Sequence, residues 1–269
     1  MKHTEVKRYW DGNAAVWTSL ARAGYDVYRD HLNTPAFFDM LPGVGGLSGL
    51  DIGCGEGHNT RLLAKCGARM AALDISEVFV QQARQLEEAE PLGIGYLAAS
   101  AVELPFADSV FDFATGFMSF MDIPETGSVL AEACRVLKPG GFLQFSITHP
   151  CFDTPHRRNL RDEQGVTYAI EVGDYFRALD GDVVEWLFNA APPEVRAGLP
   201  RFKVPRFTRT ISRWLNLVID SGFVLERIEE PRPGDQVVSR RSDLQDAQVV
   251  AYFLHVRARK PRAHPCARA

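Results

Sequence analysis

The sequence contains no CxxC pair, and its five cysteines, Cys54, Cys66, Cys134, Cys151 and Cys266, have no zinc-type spacing to its seven histidines. No structural metal is expected, and an odd number of scattered thiols points to a reduced, cytoplasmic chain. Net positive charge is lacking as well: 30 Lys and Arg against 34 Asp and Glu give −4. A chain without a basic field is a poor binder of phosphate backbones, so no nucleic-acid partner is expected. The segment MKHTEVKRYW has no apolar core of signal-peptide length, and no run approaches the roughly 18 apolar residues of a membrane span. A soluble protein without a membrane partner is expected. No internal repeat is found. What the 269 residues do hold is 46% hydrophobic and 10% aromatic character, enough for one sizeable core and a smaller appended layer.

Short apolar runs alternate with helical patterns, the signature of a parallel sheet covered on both faces. Strands are expected at 47–54, 69–75, 94–100, 109–119 and 142–148. Helices are expected at 58–66, at 124–137 and after Ser76, which reads as an N-cap with Glu77 in the first turn. Lys138-Pro139-Gly140-Gly141 reads as a turn, and Asn33-Thr34-Pro35 as a turn before the helix leading into the first strand. Beyond a long interruption come a helix at 212–220 and strands at 223–229 and 249–258. Continuous apolar strands early and an alternating one late fit buried parallel strands with an antiparallel partner, a doubly wound α/β domain.

LDIGCGEGHNT, residues 50–60, sets three glycines at alternate positions after the first strand. A strand turning sharply into a helix leaves unpaired N–H groups at the helix start, and glycines let a ligand approach the main chain. The dinucleotide pattern GxGxxG is not met, because the third glycine, Gly57, arrives one residue early. Asp51 opens the loop, where a carboxylate suits an ammonium-bearing ligand better than a pyrophosphate. Asp74, ending the second strand, stands where a ribose diol is held.

Four pieces in this order resemble the class I S-adenosylmethionine-dependent methyltransferases: LDIGCGEG, LDIS, ASAVELPFADSVFD and EACRVLKPGGFLQFSI. The resemblance covers residues 47–148 closely and the last strands loosely. It implies a Rossmann-like, mostly parallel seven-stranded sheet, S-adenosyl-L-methionine as cofactor, and a small-molecule methyl acceptor. It further implies that Asp51, Gly53, Cys54, Gly55, Asp74, Ile75, Ser100, Ala101, Val102 and Phe117 bind the cofactor. Ser100 stands where relatives usually carry an aspartate, and a hydroxyl makes the weaker hydrogen bond, worth about 0.5 to 1.5 kcal/mol net.

Methyl transfer needs alignment of a nucleophile with the S–CH3 bond, and a base only where the acceptor carries a proton. His149, in THPCFD after the fifth strand, is the candidate general base, since imidazole titrates near working pH; a histidine satisfying the turn before Pro150 is the competing reading. Cys151 as a cytosine-5-type nucleophile is disfavoured by the missing basic face. TGFMSFMDIP lacks the Asn/Asp-Pro-Pro-Tyr signature of base N-methylation.

Four units are expected: a helical lid at 1–45, the cofactor-binding core at 46–149 and 211–259, a helical and aromatic substrate cap at 150–210, and a mobile tail at 260–269. Trp17, Tyr28, Phe152, Tyr175 and Arg209 are the candidate acceptor contacts, with Arg206 or Arg209 suited to a carboxylate or phosphate; packing and a solvated face are the competing readings. A monomer or homodimer is expected. The alternatives are a non-catalytic cofactor-binding protein and a nicotinamide-dependent oxidoreductase.

Overall fold

The computed structural model describes residues 1–262. It opens with helix α1 (His3–Arg22), whose Glu5 side chain accepts from the Lys2 N–H at 2.8 Å. A π-helical turn (Arg29–Asn33) then runs straight into α2 (Thr34–Met40). The turn expected at 33–35 is therefore helix, with Pro35 in the first turn of α2 just after the π-helical turn.

The core follows as β1 (Ser48–Ile52), α3 (His58–Lys65), β2 (Arg69–Asp74), α4 (Glu77–Ala89), β3 (Gly95–Ala98), β4 (Phe111–Phe117), α5 (Thr126–Val136) and β5 (Leu137–Thr148). Ser76 caps α4, its Oγ accepting from the Phe79 N–H at 3.2 Å. The turn expected at 138–141 is part of β5. Gly140 keeps the positive φ of a turn, yet its N–H donates to the Lys260 carbonyl and the Lys260 N–H to Gly141, which holds the segment in the sheet. An insertion comes next: hairpin β6 (His156–Arg161) with β7 (Thr167–Gly173), then β8 (Asp180–Trp186), the one-turn helix α6 (Pro193–Arg196) and β9 (Phe202–Phe207), β8 pairing with β9. The aromatic residues expected of the cap are there, but its frame is two antiparallel hairpins and not helices. The chain ends with α7 (Ile211–Asp220), β10 (Val224–Glu229), the unanticipated α8 (Asp235–Arg240), a 3-10 segment (Ser242–Gln248) and β11 (Phe253–Arg259).

The seven-stranded sheet has the order β10-β11-β5-β4-β1-β2-β3, parallel except where β11 runs against β5 and β10. Leu50, Ile52, Phe113, Leu143, Phe145 and Ile147 are fully buried along its central strands. The succession of strands reverses direction between β1 and β4, which opens a crevice at their C-terminal ends. The expected mobile tail begins inside ordered structure: Lys260 Nζ donates to the carbonyls of Cys134 and Leu137, both at 2.7 Å. The rest of that tail, 263–269 with Cys266, lies outside the described residues. No described helix is long and apolar enough to cross a membrane.

Candidate functional site

A cavity of about 1200 Å³ sits over that crevice, roofed by the N-terminal helices and the insertion. Its floor is Gly53, Cys54 and Gly55 after β1, Asp74 and Ile75 at the end of β2, Ser100 to Val102 after β3, and Phe117 to Ser119 with Met121 to Ile123 after β4. The local sequence explains the floor. The Gly53 and Cys54 N–H groups both donate to the Leu73 carbonyl, at 2.8 and 2.9 Å, stitching the loop to β2. Gly53 has φ +76°, and a Cβ there would lie 2.4 Å from that of Ser119, whose Oγ donates to the Ile52 carbonyl at 2.6 Å. Only a bare backbone lets the segment after β4 press so close. At Gly55, φ +54°, an added Cβ would meet nothing within 4 Å: the backbone faces open cavity.

Asp74 lies beside that opening, one carboxylate oxygen accepting from the Gly55 N–H at 2.9 Å and the other from Ser76 at 2.8 Å. Burial pushes its carboxyl up to about 6, against the pull of these two bonds. Ser100 Oγ accepts from the Val102 N–H at 3.2 Å and so shapes its own loop. A bare loop open to free space beside a carboxylate that lines the same cavity fits the amino-acid nucleoside that the resemblance implies. Burial also raises the Cys54 thiol well above its usual range, keeping it protonated, and lowers His58 to about 4, with the Arg29 charge adding to the effect.

Asp51 is not on the cavity wall. Its two oxygens accept from Thr60 Oγ1 at 2.6 Å and Thr115 Oγ1 at 2.9 Å, so it braces the glycine loop from behind and does not open its mouth. Thr148 is the last β5 residue on the wall; His149, the next, turns away, as alternation along a strand dictates. His149 is 2% exposed, its Nε2 lies 2.7 Å from Glu230 Oε1, and its Nδ1 accepts from the Cys151 N–H at 3.2 Å. With both ring nitrogens engaged away from the cavity it is a clamp on the chain after β5, not a base. Phe152 packs on the His149 ring, and the Tyr175 hydroxyl accepts from the Ile211 N–H at 2.9 Å. Arg209 donates to the carbonyls of Phe207, Ile123 and Pro124. None of these three reaches the main cavity.

Trp17 and Tyr28 do line it. Trp17 packs edge-on against Trp186 and Phe188, and Tyr28 stacks on Tyr252 with centroids 5.0 Å apart. Several wall residues went unnoticed in the sequence. Arg29 pairs with Glu56 at 3.1 Å and with Asp30 at 2.8 Å, and spacing gave no sign of it. Asp122 follows β4 within SFMDIP, where no spacing marks it out. Its carboxylate lines the cavity with no hydrogen bond from any described side chain or backbone group, and desolvation raises it well above the usual carboxylate range.

Residues 50–145 match the family model described as a methyltransferase domain. The chain is 26% identical over 212 residues to the malonyl-[acyl-carrier protein] O-methyltransferase of Pectobacterium atrosepticum, covering 66% of this chain and 82% of that one. It is 33% identical over 160 residues to the demethylmenaquinone methyltransferase of Renibacterium salmoninarum, 56% of this chain and 65% of the relative. Other curated methyltransferases are matched over 37 to 47% of their own length. Among solved structures it is similar to an S-adenosylmethionine-dependent methyltransferase from Mesorhizobium loti, with 29% identity, a TM-score of 0.67, and coverage of 84% of this chain and 96% of that one.

Proposed function

Because the chain belongs to the class I S-adenosylmethionine-dependent methyltransferases, we propose that it moves the methyl group onto an oxygen, nitrogen or carbon atom of a small molecule held beneath the β-hairpin cap. The observation carrying this reading is the single cavity that joins the glycine-loop floor to the aromatic wall of the cap. At about 1200 Å³ it exceeds the roughly 300–1,000 Å³ of a pocket for one drug-sized ligand, so two molecules have room side by side.

Gly53, Gly55 and Asp74 are the residues that hold the cofactor, with Ser100 to Val102 against its base. The bound cofactor supplies a methyl group already activated by a sulfonium. The protein's own work is alignment and exclusion of water, which in favourable cases is worth about 7 to 11 kcal/mol. Trp17, Tyr28, Trp186 and Phe188 supply apolar walls on which a flat or aliphatic acceptor rests. Where the acceptor must lose a proton, Asp122 takes it: an uncommitted carboxylate at the end of β4, with a raised affinity for protons, is suited to that task.

Calorimetry with S-adenosylmethionine and S-adenosylhomocysteine, followed by incubation of the protein with methyl-labelled cofactor and fractionated metabolites, tests the proposal. Label should appear in a low-molecular-weight fraction. Binding of both cofactor forms without label leaving the donor, or label only in macromolecules, refutes it.

A further inference from the structure

The insertion presents five arginines to the cavity: Arg157, Arg161, Arg196, Arg201 and Arg206. Two are spent on neighbours. Arg206 pairs with Asp153 at 2.8 Å and Arg161 with Asp246 at 3.0 Å. Arg157 lies 4.6 Å over the Tyr252 ring, a contact that leaves its N–H groups uncommitted. Arg196 and Arg201 stand at the two ends of the short segment joining α6 to β9, and among the described residues neither guanidinium has a hydrogen bond or an ion pair. Arg201 is exposed, whereas Arg196 Nε is shut off from solvent and has no partner at all.

Both side chains line the cavity and neither is fully buried, so their unpaired terminal N–H groups are free to meet an oxygen-bearing anion that enters it. Guanidinium forks match carboxylate and phosphate oxygens in geometry as well as in charge. Val195 and Leu199, from the same stretch of chain as these two arginines, belong to one apolar cluster with Trp17, Trp186 and Phe188, whose rings pack on one another with centroids 5.0 to 5.5 Å apart. The one cavity thus offers walls for an apolar body and donors for an anionic head. Arg196, Arg201, Trp186 and Phe188 come from the insertion and Trp17 from α1, whereas Gly53, Gly55 and Asp74 lie on the floor.

We infer that the methyl acceptor is an aromatic or apolar anion, its carboxylate or phosphate held by Arg196 and Arg201 at the Trp17–Trp186–Phe188 wall. This rests on the reading of the cavity as a methyltransferase site for small molecules. The test titrates protein saturated with S-adenosylhomocysteine with indole-3-acetate, phenyl phosphate and the neutral indole-3-acetamide, following calorimetric heat and tryptophan fluorescence. At least one anion should bind tenfold or more tightly than the amide, and which one does identifies the head group. Arg196→Gln and Arg201→Gln should each cut that affinity about tenfold while leaving the S-adenosylhomocysteine Kd within twofold. Equal or absent binding of all three probes overturns the inference, as do variants that bind the anion normally. A variant that loses S-adenosylhomocysteine instead assigns the guanidinium to the cofactor's own carboxylate and likewise overturns it. Failure of the underlying methyltransferase reading looks different: the wild-type protein then takes up no S-adenosylhomocysteine before any probe is added.

Discussion

Gly53→Ala and Gly55→Ala each add one methyl group, two residues apart, and should damage different properties. Both positions have left-handed φ, +76° and +54°, a conformation that costs an alanine about 1–2 kcal/mol. At 53 the methyl would also sit 2.4 Å from Ser119 Cβ and 2.8 Å from its Oγ. Ser119 cannot turn aside without breaking its bond to the Ile52 carbonyl. Overpacking of about 1–3 kcal/mol and a lost hydrogen bond of about 0.5–1.5 bring the sum to roughly 3–6 kcal/mol. At about 2–4 °C per kcal/mol for a chain of this size class, Gly53→Ala should melt roughly 6–24 °C early. Gly55→Ala meets no protein atom, so its midpoint should fall by only about 2–8 °C. Its methyl group projects instead into the space where a ligand approaches the main chain, and S-adenosylhomocysteine affinity should drop about tenfold or more. Calorimetric melting and titration of both variants check this. Equal midpoints, or a Gly55→Ala protein that binds with wild-type affinity, would show that the loop is not the cradle described here.

Three further outcomes follow from the site. Cofactor ribose hydroxyls need an anionic Asp74, so S-adenosylhomocysteine affinity should hold steady above pH 7 and weaken as pH falls through about 6. The limit below that is about tenfold per pH unit, as for loss of one proton-linked site, and the dependence should vanish in Asp74→Asn. Stability of the ligand-free protein runs the other way: the folded state keeps a proton that the unfolded chain releases near 3.8, so this group's contribution is lost as pH rises from 3.8 to about 6, measurable by denaturant titration. His149→Gln should cost about 1–3 kcal/mol of stability through the lost contact with Glu230 while leaving the shape of the turnover–pH profile unchanged; loss of the acidic limb would restore His149 as the base. Asp122→Asn should lower single-turnover rates about 10² to 10⁴-fold for acceptors that must shed a proton, with cofactor affinity intact, and an unaltered rate would remove Asp122 from the chemistry.

The floor of the cavity was legible because its geometry is local. A strand, a glycine turn and a helix lie in consecutive residues, and Asp74 ends the next strand, so spacing alone carries Gly53, Gly55 and Asp74 to one place. The roof was not, because it depends on which way side chains turn at the ends of strands. Thr148 faces the cavity and His149 the opposite side, a difference of one residue that the text of THPCFD does not announce. Arg206, within β9, lines the cavity, while Arg209, beyond its end, turns back to the carbonyls at 123 and 124. Asp51 sits one strand position from the loop it was expected to guard, and two threonine hydroxyls from α3 and β4 claim its oxygens. The hairpin frame of the cap was hidden by mixed composition. Phe202, Val204 and Phe207 are buried along β9, but charged neighbours dilute the alternation that marks a strand.

The place of β11 has a consequence for biogenesis. A ribosome delivers this chain amino end first, yet the strand that covers the open flank of β5 is Phe253–Arg259, after the cap has already emerged. Until then β5 offers a row of unpaired main-chain groups to any passing strand. His255 reaches back from β11 to Asn33, and Arg257 and Arg259 clasp Glu226 on β10, so the latecomer fastens the π-helical turn before α2 and the sheet's outer strand in one event. Nascent chains stalled before residue 253 are therefore the species that chaperones must shelter.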